Sequence, residues 1–501
     1  MRSSEPDLYA RDAALGRRVA VAGLLVCLGA GLARAGDLPR PEVEIPSPLH
    51  LDQAVSIFGT RGLDLLLADA ATEGARADLR TAQALPNPLV AAAGGHTFAF
   101  DPHAPNCDGC SATSVSAGLS DQGLVADFLI GKRRLRIDVA RQALEAAEGS
   151  RANSERVLLA TVKEEYIHAV LARELLDFAC ETEDSLAETA GLVNDRLHAG
   201  HASAAEVARA DTAKLAAEQA VDAAREQLAA AYSQLAFLLA VRGTVPAFEV
   251  EERLPPSQEP AALAGTTPEA LIALAEEHRP DLAVATTEAR LAESAMALAR
   301  RERLPDVQLT GNYTQEGRGQ NALQPPTLTF GVQLPLPVLD RNQGRIAKSE
   351  SQLRVQRLRR EKVEAQITDD VGTAWYAFQA AKTRVKRLLR ERAQQARDLV
   401  HEQYKKGAVS LLERLDAERV HVAAVVESLK ASADFCTACY QLEAAVGMEL
   451  GCPEHGDVAG ARPGEAARCS GTPSSRWPSW VQQPVAGDGA VAQPGAARHT
   501  R

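Results

Sequence analysis

Polar and apolar positions along this chain keep two periods, and each period occurs twice. In LPDVQLTGNY, Val307, Leu309, Gly311 and Tyr313 alternate with Gln308, Thr310 and Asn312. In TLTFGVQLP, Leu328, Phe330, Val332 and Leu334 alternate with Thr329, Gly331 and Gln333. A period of two over about 10 residues predicts a strand with one apolar face. A strand in a membrane barrel needs that alternation, and a half-buried sheet of a soluble domain shows it too. Leu89 to Phe100 and Ser111 to Leu119 repeat the pattern more weakly; in the second, Val115, Ala117 and Leu119 alternate with Ser114, Ser116 and Gly118. The turn-rich loop DPHAPNCDGC separates these two runs.

After each pair of strands the period becomes helical. Val422, Val425, Val426 and Leu429 fall at i, i+3, i+4 and i+7. Lys348 to Lys405 contains no proline and one glycine before the hairpin, Gly372. A segment of roughly 60 helical residues is on the order of 90 Å long, and needs a coiled-coil or bundle setting. Arg136 to Ala199 reads the same way. Gly200 and Gly407 interrupt these helices. Glycine permits the positive φ that ends a helix, so each marks the turn of a hairpin. Ser203 and Ser410 stand where they can cap the next helix, each with an acid three residues on, Glu206 and Glu413.

The two halves align. With Gly200 set on Gly407, Ser203 meets Ser410, Glu206 meets Glu413, Asp211 meets Glu418, and Gln234-Leu235 meets Gln441-Leu442. Upstream, Arg136-Ile137 meets Arg345-Ile346 and Leu85-Pro86 meets Leu304-Pro305. An offset near about 210 residues predicts an internal duplication. The expected organisation is a signal peptide over 1–35, a first repeat over 36–242, a linker over 243–266, a second repeat over 267–450, and a disordered Gly-, Pro- and Ser-rich tail over 451–501. Each repeat reads as helix, two strands and a long helical hairpin.

The signal peptide rests on Arg17-Arg18, the apolar run VAVAGLLVCLGAGLA and the A-x-A site Ala33-Arg34-Ala35. Val26 before Cys27 is a poor lipoprotein-type site, so cleavage is expected after Ala35. The apolar run, about 15 residues, is too short for a comfortable membrane span. Apolar residues make up 46% of the 501 residues and aromatics only 4%, which favours Ala/Leu helical packing over an aromatic core. A net charge of −11 argues against nucleic-acid binding, which needs clustered Lys and Arg. The short basic runs Lys132-Arg133-Arg134 and Arg359-Arg360 read as solvated helix surface. The chain carries no nucleophile elbow, P-loop, H-E-x-x-H or dinucleotide fingerprint, so neither an enzyme nor a cofactor is expected.

The signal peptide, the duplicated strand–strand–helix units and the glycine-broken hairpins together resemble the TolC family of outer-membrane efflux channels over roughly residues 48–450. Leu85-Pro86-Asn87-Pro88 is similar to that family's entry into its first strand, and Leu334-Pro335-Leu336-Pro337 with Asp340 to Gly344 to the exit from its fourth. Tyr404-x-x-Gly407 and Leu415-Asp416-Ala417-Glu418 resemble its second hairpin tip. FLIGKRRLRIDVA resembles the strand-to-helix segment of CzcC-like channels, which serve heavy-metal exporters. The resemblance implies an α+β membrane protein: a trimeric outer-membrane β-barrel, four strands per protomer, continued by a long periplasmic α-helical barrel. It implies a passive exit duct fed by a periplasmic adaptor and an inner-membrane pump, with divalent heavy-metal cations as cargo. The same channel exporting organic compounds or drugs is the alternative, and a soluble periplasmic coiled-coil adaptor is a third reading that the duplication and the strands oppose.

By position, Tyr404, Glu413, Asp416 and Glu206 match the family's periplasmic gate, and inward carboxylates such as Asp416, repeated around a three-fold axis, would favour cations. Solvated helix-start charges are the plainer reading of Glu206 and Glu413. A basic gate partner expected just after the hairpin glycine is replaced by Val409, which leaves Lys405, Lys406 or Arg414 as substitutes. Gly200, Ser203, Gly407 and Ser410 build the tips where the adaptor is expected to dock. His96, His103, Cys107 and Cys110 have the side-chain types of a zinc site; an ordinary loop with a disulfide or free thiols is the alternative. Cys436 and Cys439, three apart on an apolar helix, read as core residues.

Overall fold

The computed structural model describes residues 45–96, 98, 112–243, 245–246, 248–250, 253–254, 258–316, 326–386 and 390–452. The expected signal peptide, the candidate ligands His103, Cys107 and Cys110, and the tail beyond Cys452 lie outside the described residues.

Helices dominate, with one small sheet. The first half runs α1 (Leu51–Arg61), α2 (Leu63–Gln83), β1 (Leu89–His96), β2 (Thr113–Ser120), α3 (Leu124–Ile130), α4 (Lys132–His198) and α5 (Ala204–Leu238). After a single 3-10 turn at Ala261–Leu263, the second half runs α6 (Pro268–His278), α7 (Pro280–Arg301), β3 (Gln308–Glu316), β4 (Thr327–Gln333), α8 (Gln343–Lys386), α9 (Arg390–Lys405) and α10 (Leu411–Val446). Pro268 and Pro280 each sit in the first turn of their helix, where the missing N–H is not needed. Sequence periodicity missed α3, a seven-residue helix closed at both ends by left-handed glycines, Gly123 and Gly131.

The four strands pair antiparallel in the order β1-β2-β3-β4, and the register fixes two unlike faces. Val90 pairs with Leu119, Leu119 with Gly311 and Gly311 with Phe330; Ala92, Ala117, Tyr313 and Leu328 form the next row. That face is apolar, and it is bare: Val90 is 72% exposed, Val332 70% and Phe330 79%. The opposite face pairs Ser116 with Thr314, Gly118 with Asn312, Thr310 with Gly331 and Asn312 with Thr329. It carries hydroxyls and amides. Glycines make room for them, since a Cβ at Gly118 would come within 2.5 Å of Asn312 Oδ1. Among the described residues, β1 and β4 each keep one edge without a partner strand.

The long helices pack by seams. On α5 the buried Ala210, Ala217, Ala224 and Ala231 recur every seven residues, with Val221 and Leu235 on the same stripe. Small side chains at a seven-residue repeat let neighbouring helices approach closely and supercoil. On α10 the buried stripe runs Leu411, Arg414, Glu418, His421, Val425 and Ser428. The apolar set Val422, Val425, Val426 and Leu429 read from the sequence is rotated from this seam, because three ionisable residues fill seam positions that periodicity assigns to solvent.

The main core gathers α1, the middle of α4, the end of α5, α8 and the end of α10 around Phe58, Tyr166, Leu235, Phe378, Phe435 and Tyr440. Tyr166 Oη donates to Leu49 O at 2.9 Å, beside the one-residue bridge Leu49–Val250. The C-terminus of α10 is sealed by cations: Arg279 donates to Ala445 O at 3.2 Å, and Arg156 to Ala444 O. Cations there offset the negative end of the helix dipole. Arg279 also binds Asp281 at 2.6 Å and Asp370 at 3.0 Å.

Cys439 is in this core, but it is not a plain apolar residue. It forms a disulfide with Cys452, with a Cα–Cα distance of 5.8 Å. Glu443 Oε1 accepts from Leu450 N at 2.9 Å and Cys452 N at 3.2 Å. Gly451 and Cys452, expected in the disordered tail, thus belong to the folded chain. Cys436 stays a free thiol whose pKa burial pushes up to about 12. Closing a loop of this length is worth about 3 kcal/mol. A Cys452→Ser variant is therefore expected to unfold at a lower temperature than the wild-type protein, as read by calorimetry.

Candidate functional site at the hairpin tips

Both hairpin turns are built by the same local code. Gly200 and Gly407 have φ of +76° and +74°, a region that favours glycine. His201 N donates to Arg196 O at 2.7 Å and Ala408 N to Gln403 O at 2.9 Å, so each helix end closes on a carbonyl five residues back. Glu206 accepts from Ser203 N at 2.8 Å and Oγ at 3.0 Å; Glu413 accepts from Ser410 N at 2.8 Å and Oγ at 3.1 Å. In return Glu206 N donates to Ser203 Oγ and Glu413 N to Ser410 Oγ, each at 3.3 Å. Both capping boxes read from the sequence are present. Glu206 is held below its usual range by the Ser203 backbone N–H and then by the Ser203 hydroxyl. Within the protomer the two carboxylates hold their own turns. Ser203→Ala and Ser410→Ala are each expected to destabilise their tip by about 1 kcal/mol, read as faster amide exchange in the first turns of α5 and α10.

The two hairpins meet at Tyr404. This residue is buried with Ala190 and Val193 of α4, Ala210 of α5 and Leu411 of α10, and Val409 packs against the group. Val409 thus extends an apolar plug. The basic partner missing at that position comes from the other hairpin. Arg196 of α4 donates to Tyr404 O at 2.6 Å, and its guanidinium lies 4.3 Å from the centre of the Tyr404 ring. Two of the substitutes expected from the sequence also cross between the hairpins: Lys405 pairs with Glu188 of α4 at 3.2 Å, and the buried Arg414 donates to Ser185 Oγ of α4 at 3.0 Å, whereas Lys406 is exposed. Asp416 is exposed and pairs along its own helix with Arg419 at 2.9 Å. Of the four candidate gate residues, only Tyr404 joins the two hairpins in one protomer.

Behind the plug lies a buried polar layer between α4, α9 and α10. Arg414 and Glu418 form an ion pair, 1% and 3% exposed, and Arg414 Nη2 donates to Ser185 Oγ at 3.0 Å. His421 is buried and meets the Phe178 ring edge-on at 5.9 Å. The Nδ1 atoms of His401 and His421 and the Nε of Arg414 have no hydrogen-bond partner. One signal in the sequence pointed here: Leu411, Arg414, Glu418, His421 and Val425 keep the alternating three-and-four spacing of a seam.

At the other end of the helices, the GKRR segment is spent on joining sheet to helix. Lys132 donates to Leu304 O and to Asp306 Oδ1, both at 2.7 Å, and Arg136 pairs with Asp127. Lys132 thus pins the start of α4 to the segment entering β3, and Arg136 ties it to α3. His96 ends β1, edge-on to Phe98 at 5.4 Å. Among the described residues no group of three His, Cys, Asp or Glu side chains could hold a metal ion.

Comparison with known proteins accords with this arrangement. The chain is 28% identical over 328 residues to the pyoverdine export outer membrane protein OpmQ of Pseudomonas aeruginosa, covering 63% of this chain and 66% of that one. It is 23% identical over 304 residues to the cobalt-zinc-cadmium resistance protein CzcC of Cupriavidus metallidurans, covering 60% and 66%. Both matches span just under two thirds of the relative's length. The fold is similar to that of the outer-membrane channel OprN, with a TM-score of 0.66 at 20% identity over 82% of this chain and 94% of that one. Residues 60–241 and 271–448 match the outer membrane efflux protein family, and the chain belongs to that family.

Proposed function

We propose that the protein is the outer-membrane channel subunit of a tripartite efflux system, a passive duct that receives cargo from a periplasmic adaptor and an inner-membrane pump. The two-faced sheet with two open edges carries this reading. Its apolar face suits lipid and its hydroxyl-and-amide face suits water, but four strands cannot close, and an open edge in hydrocarbon leaves backbone groups unsatisfied. Pooling the sheets of several copies removes the edges, and three copies is the family's number. Among the described residues no helix is long and apolar enough to cross a membrane, so the sheet is the membrane-spanning part of this proposal. The shared order of elements in the two halves and their matching tips support the internal duplication. Export under a signal peptide over 1–35 agrees with a disulfide in the folded core.

The tips are proposed as the gate, held shut by Arg196–Tyr404, with the Gly200 and Gly407 turns exposed for the adaptor. In the assembled channel Asp416, exposed and paired along its helix with Arg419, is the carboxylate proposed to face the axis, since Glu206 and Glu413 are engaged in their caps. Divalent heavy-metal cations are the first cargo proposed, on the CzcC-like segment and the relationship to CzcC. One observation favours organic compounds as a second reading: the face proposed to line the pore carries mostly hydroxyls and amides along β2 and β3, with its one carboxylate, Glu316, at the end of β3. The relationship to OpmQ points the same way. Deleting the gene and comparing tolerance of zinc, cobalt and cadmium with tolerance of organic toxicants separates them. Loss of metal tolerance alone supports the first, and loss of organic tolerance alone the second.

A further inference from the structure

The buried polar layer behind the tip is costly to build and serves neither the turn nor the Arg196–Tyr404 contact. Three ionisable residues of α10 occupy seam positions that elsewhere on the same helix hold Leu411, Val425 and Cys439. Polar groups at such positions lower stability and are kept where they specify a state. Here two imidazole nitrogens and one guanidinium N–H are buried without partners. We propose that this layer is a proton-operated latch: with His401 and His421 neutral it holds α4, α9 and α10 together, and protonation of the imidazoles forces the three helices apart and loosens the tip.

The surroundings set the direction. His421 of α10 faces Arg397 and Asp398 of α9, Glu181 of α4 and Glu418 of its own helix. His401 of α9 faces Arg414 of α10, Glu188 of α4, and Lys405 and Glu402 of its own helix. Burial lowers both imidazoles from their ordinary value; Arg397 lowers His421 further, and Arg414 and Lys405 lower His401 further, against weaker pull from the carboxylates. Four of these carboxylates are already engaged: Glu418 with Arg414, Glu181 and Asp398 with Arg397 at 3.8 Å and 3.0 Å, and Glu188 with Lys405 at 3.2 Å; Glu402 is exposed. A proton arriving on either ring therefore meets cations whose counter-charges are taken, and a low-dielectric layer strengthens the repulsion. Because both groups are lowered in the packed tip, their contribution is complete above the ordinary histidine value of about 6.5 and is lost as pH falls through the lowered values. The linkage gives up to roughly tenfold in the opening equilibrium per pH unit for each imidazole.

The latch rests on the channel reading only for its consequence, opening of a duct. Its test is therefore read first without conduction. Amide hydrogen exchange on the full-length protein in detergent, between about pH 7.5 and about pH 5 and corrected for intrinsic exchange, is expected to show α9 and the tip half of α10 losing protection below about pH 6.5, with the main core unchanged. A His401→Gln, His421→Gln double variant should keep its protection across the range. Arg397→Gln, which removes the cation facing His421, brings the packed imidazole closer to its open-state value and should shrink the acid transition, and it serves if the double variant fails to fold. Persistence of the full acid transition in the double variant, an enlarged transition in Arg397→Gln, or its absence in the wild type would overturn the latch. Conductance in lipid bilayers over the same range is the second arm. Acid-loosened tips with no conductance at any pH would leave the latch standing and remove the channel.

Discussion

Arg196→Ala is expected to weaken the hold between the two hairpins at the tip and shift it toward opening. The variant loses a charge-assisted bond to the Tyr404 carbonyl and a guanidinium stacked on the Tyr404 ring, which together are worth about 2–3 kcal/mol. That corresponds to roughly 30- to 150-fold in the ratio of closed to open tip. Tyr404→Leu removes the ring and keeps the carbonyl as acceptor, so its effect should be smaller. Arg196→Lys should fall between, since lysine keeps the charge without the planar face. The measurement is single-channel conductance together with sensitivity of cells to a large antibiotic normally excluded by the outer membrane. An Arg196→Ala channel as tightly closed as the wild type would show that the hairpins are held by something else.

The second large effect is expected in the sheet, and its force lies in a contrast between neighbours. Phe330 lies on the apolar face in the middle of β4, and Thr329, beside it, lies on the face of hydroxyls and amides. Phe330→Arg places a charge against hydrocarbon at a cost of about 2–4 kcal/mol. Thr329→Arg points into water on the proposed inner side and should assemble nearly as well as the wild type. Yield of heat-resistant oligomer from outer membranes reads the difference. Equal loss in both variants would mean that both faces are enclosed, as in the sheet of a soluble domain.

These two predictions draw on parts of the molecule that were unequally visible in the sequence. The strands were legible because alternation is local: Gln308 and Thr327 begin β3 and β4 within runs whose period alone picked them out. The hairpin turns were legible for the same reason. Gly200 with Ser203 and Glu206, and Gly407 with Ser410 and Glu413, need no residue from elsewhere to close. The resemblance to TolC-type efflux channels, read from those same features, is borne out at the level of the family.

The contacts that cross between hairpins were hidden. Arg196 and Tyr404 are joined only when α4 and α9 pack, and nothing near Tyr404 in the chain announces a cation from the other repeat. Arg414, Glu418 and His421 were hidden for a different reason: an i,i+4 Arg–Glu pair on a helix reads as exposed surface, and only the course of the seam shows that it is buried. Cys439 read as core because its bond to Cys452 depends on the chain turning back at Gly447, whose φ is +84°. The GKRR segment, taken from the sequence as a mark of metal export, is engaged in fastening α4 to β3, so its charges speak for architecture before cargo.

The central claim is that the sheet, unable to close alone, is completed by other copies of the chain in the outer membrane. Native mass spectrometry of protein extracted in detergent from purified outer membranes tests it most directly. The account predicts a single dominant species of three chains. A monomer, recovered chiefly in the soluble periplasmic fraction, would contradict it.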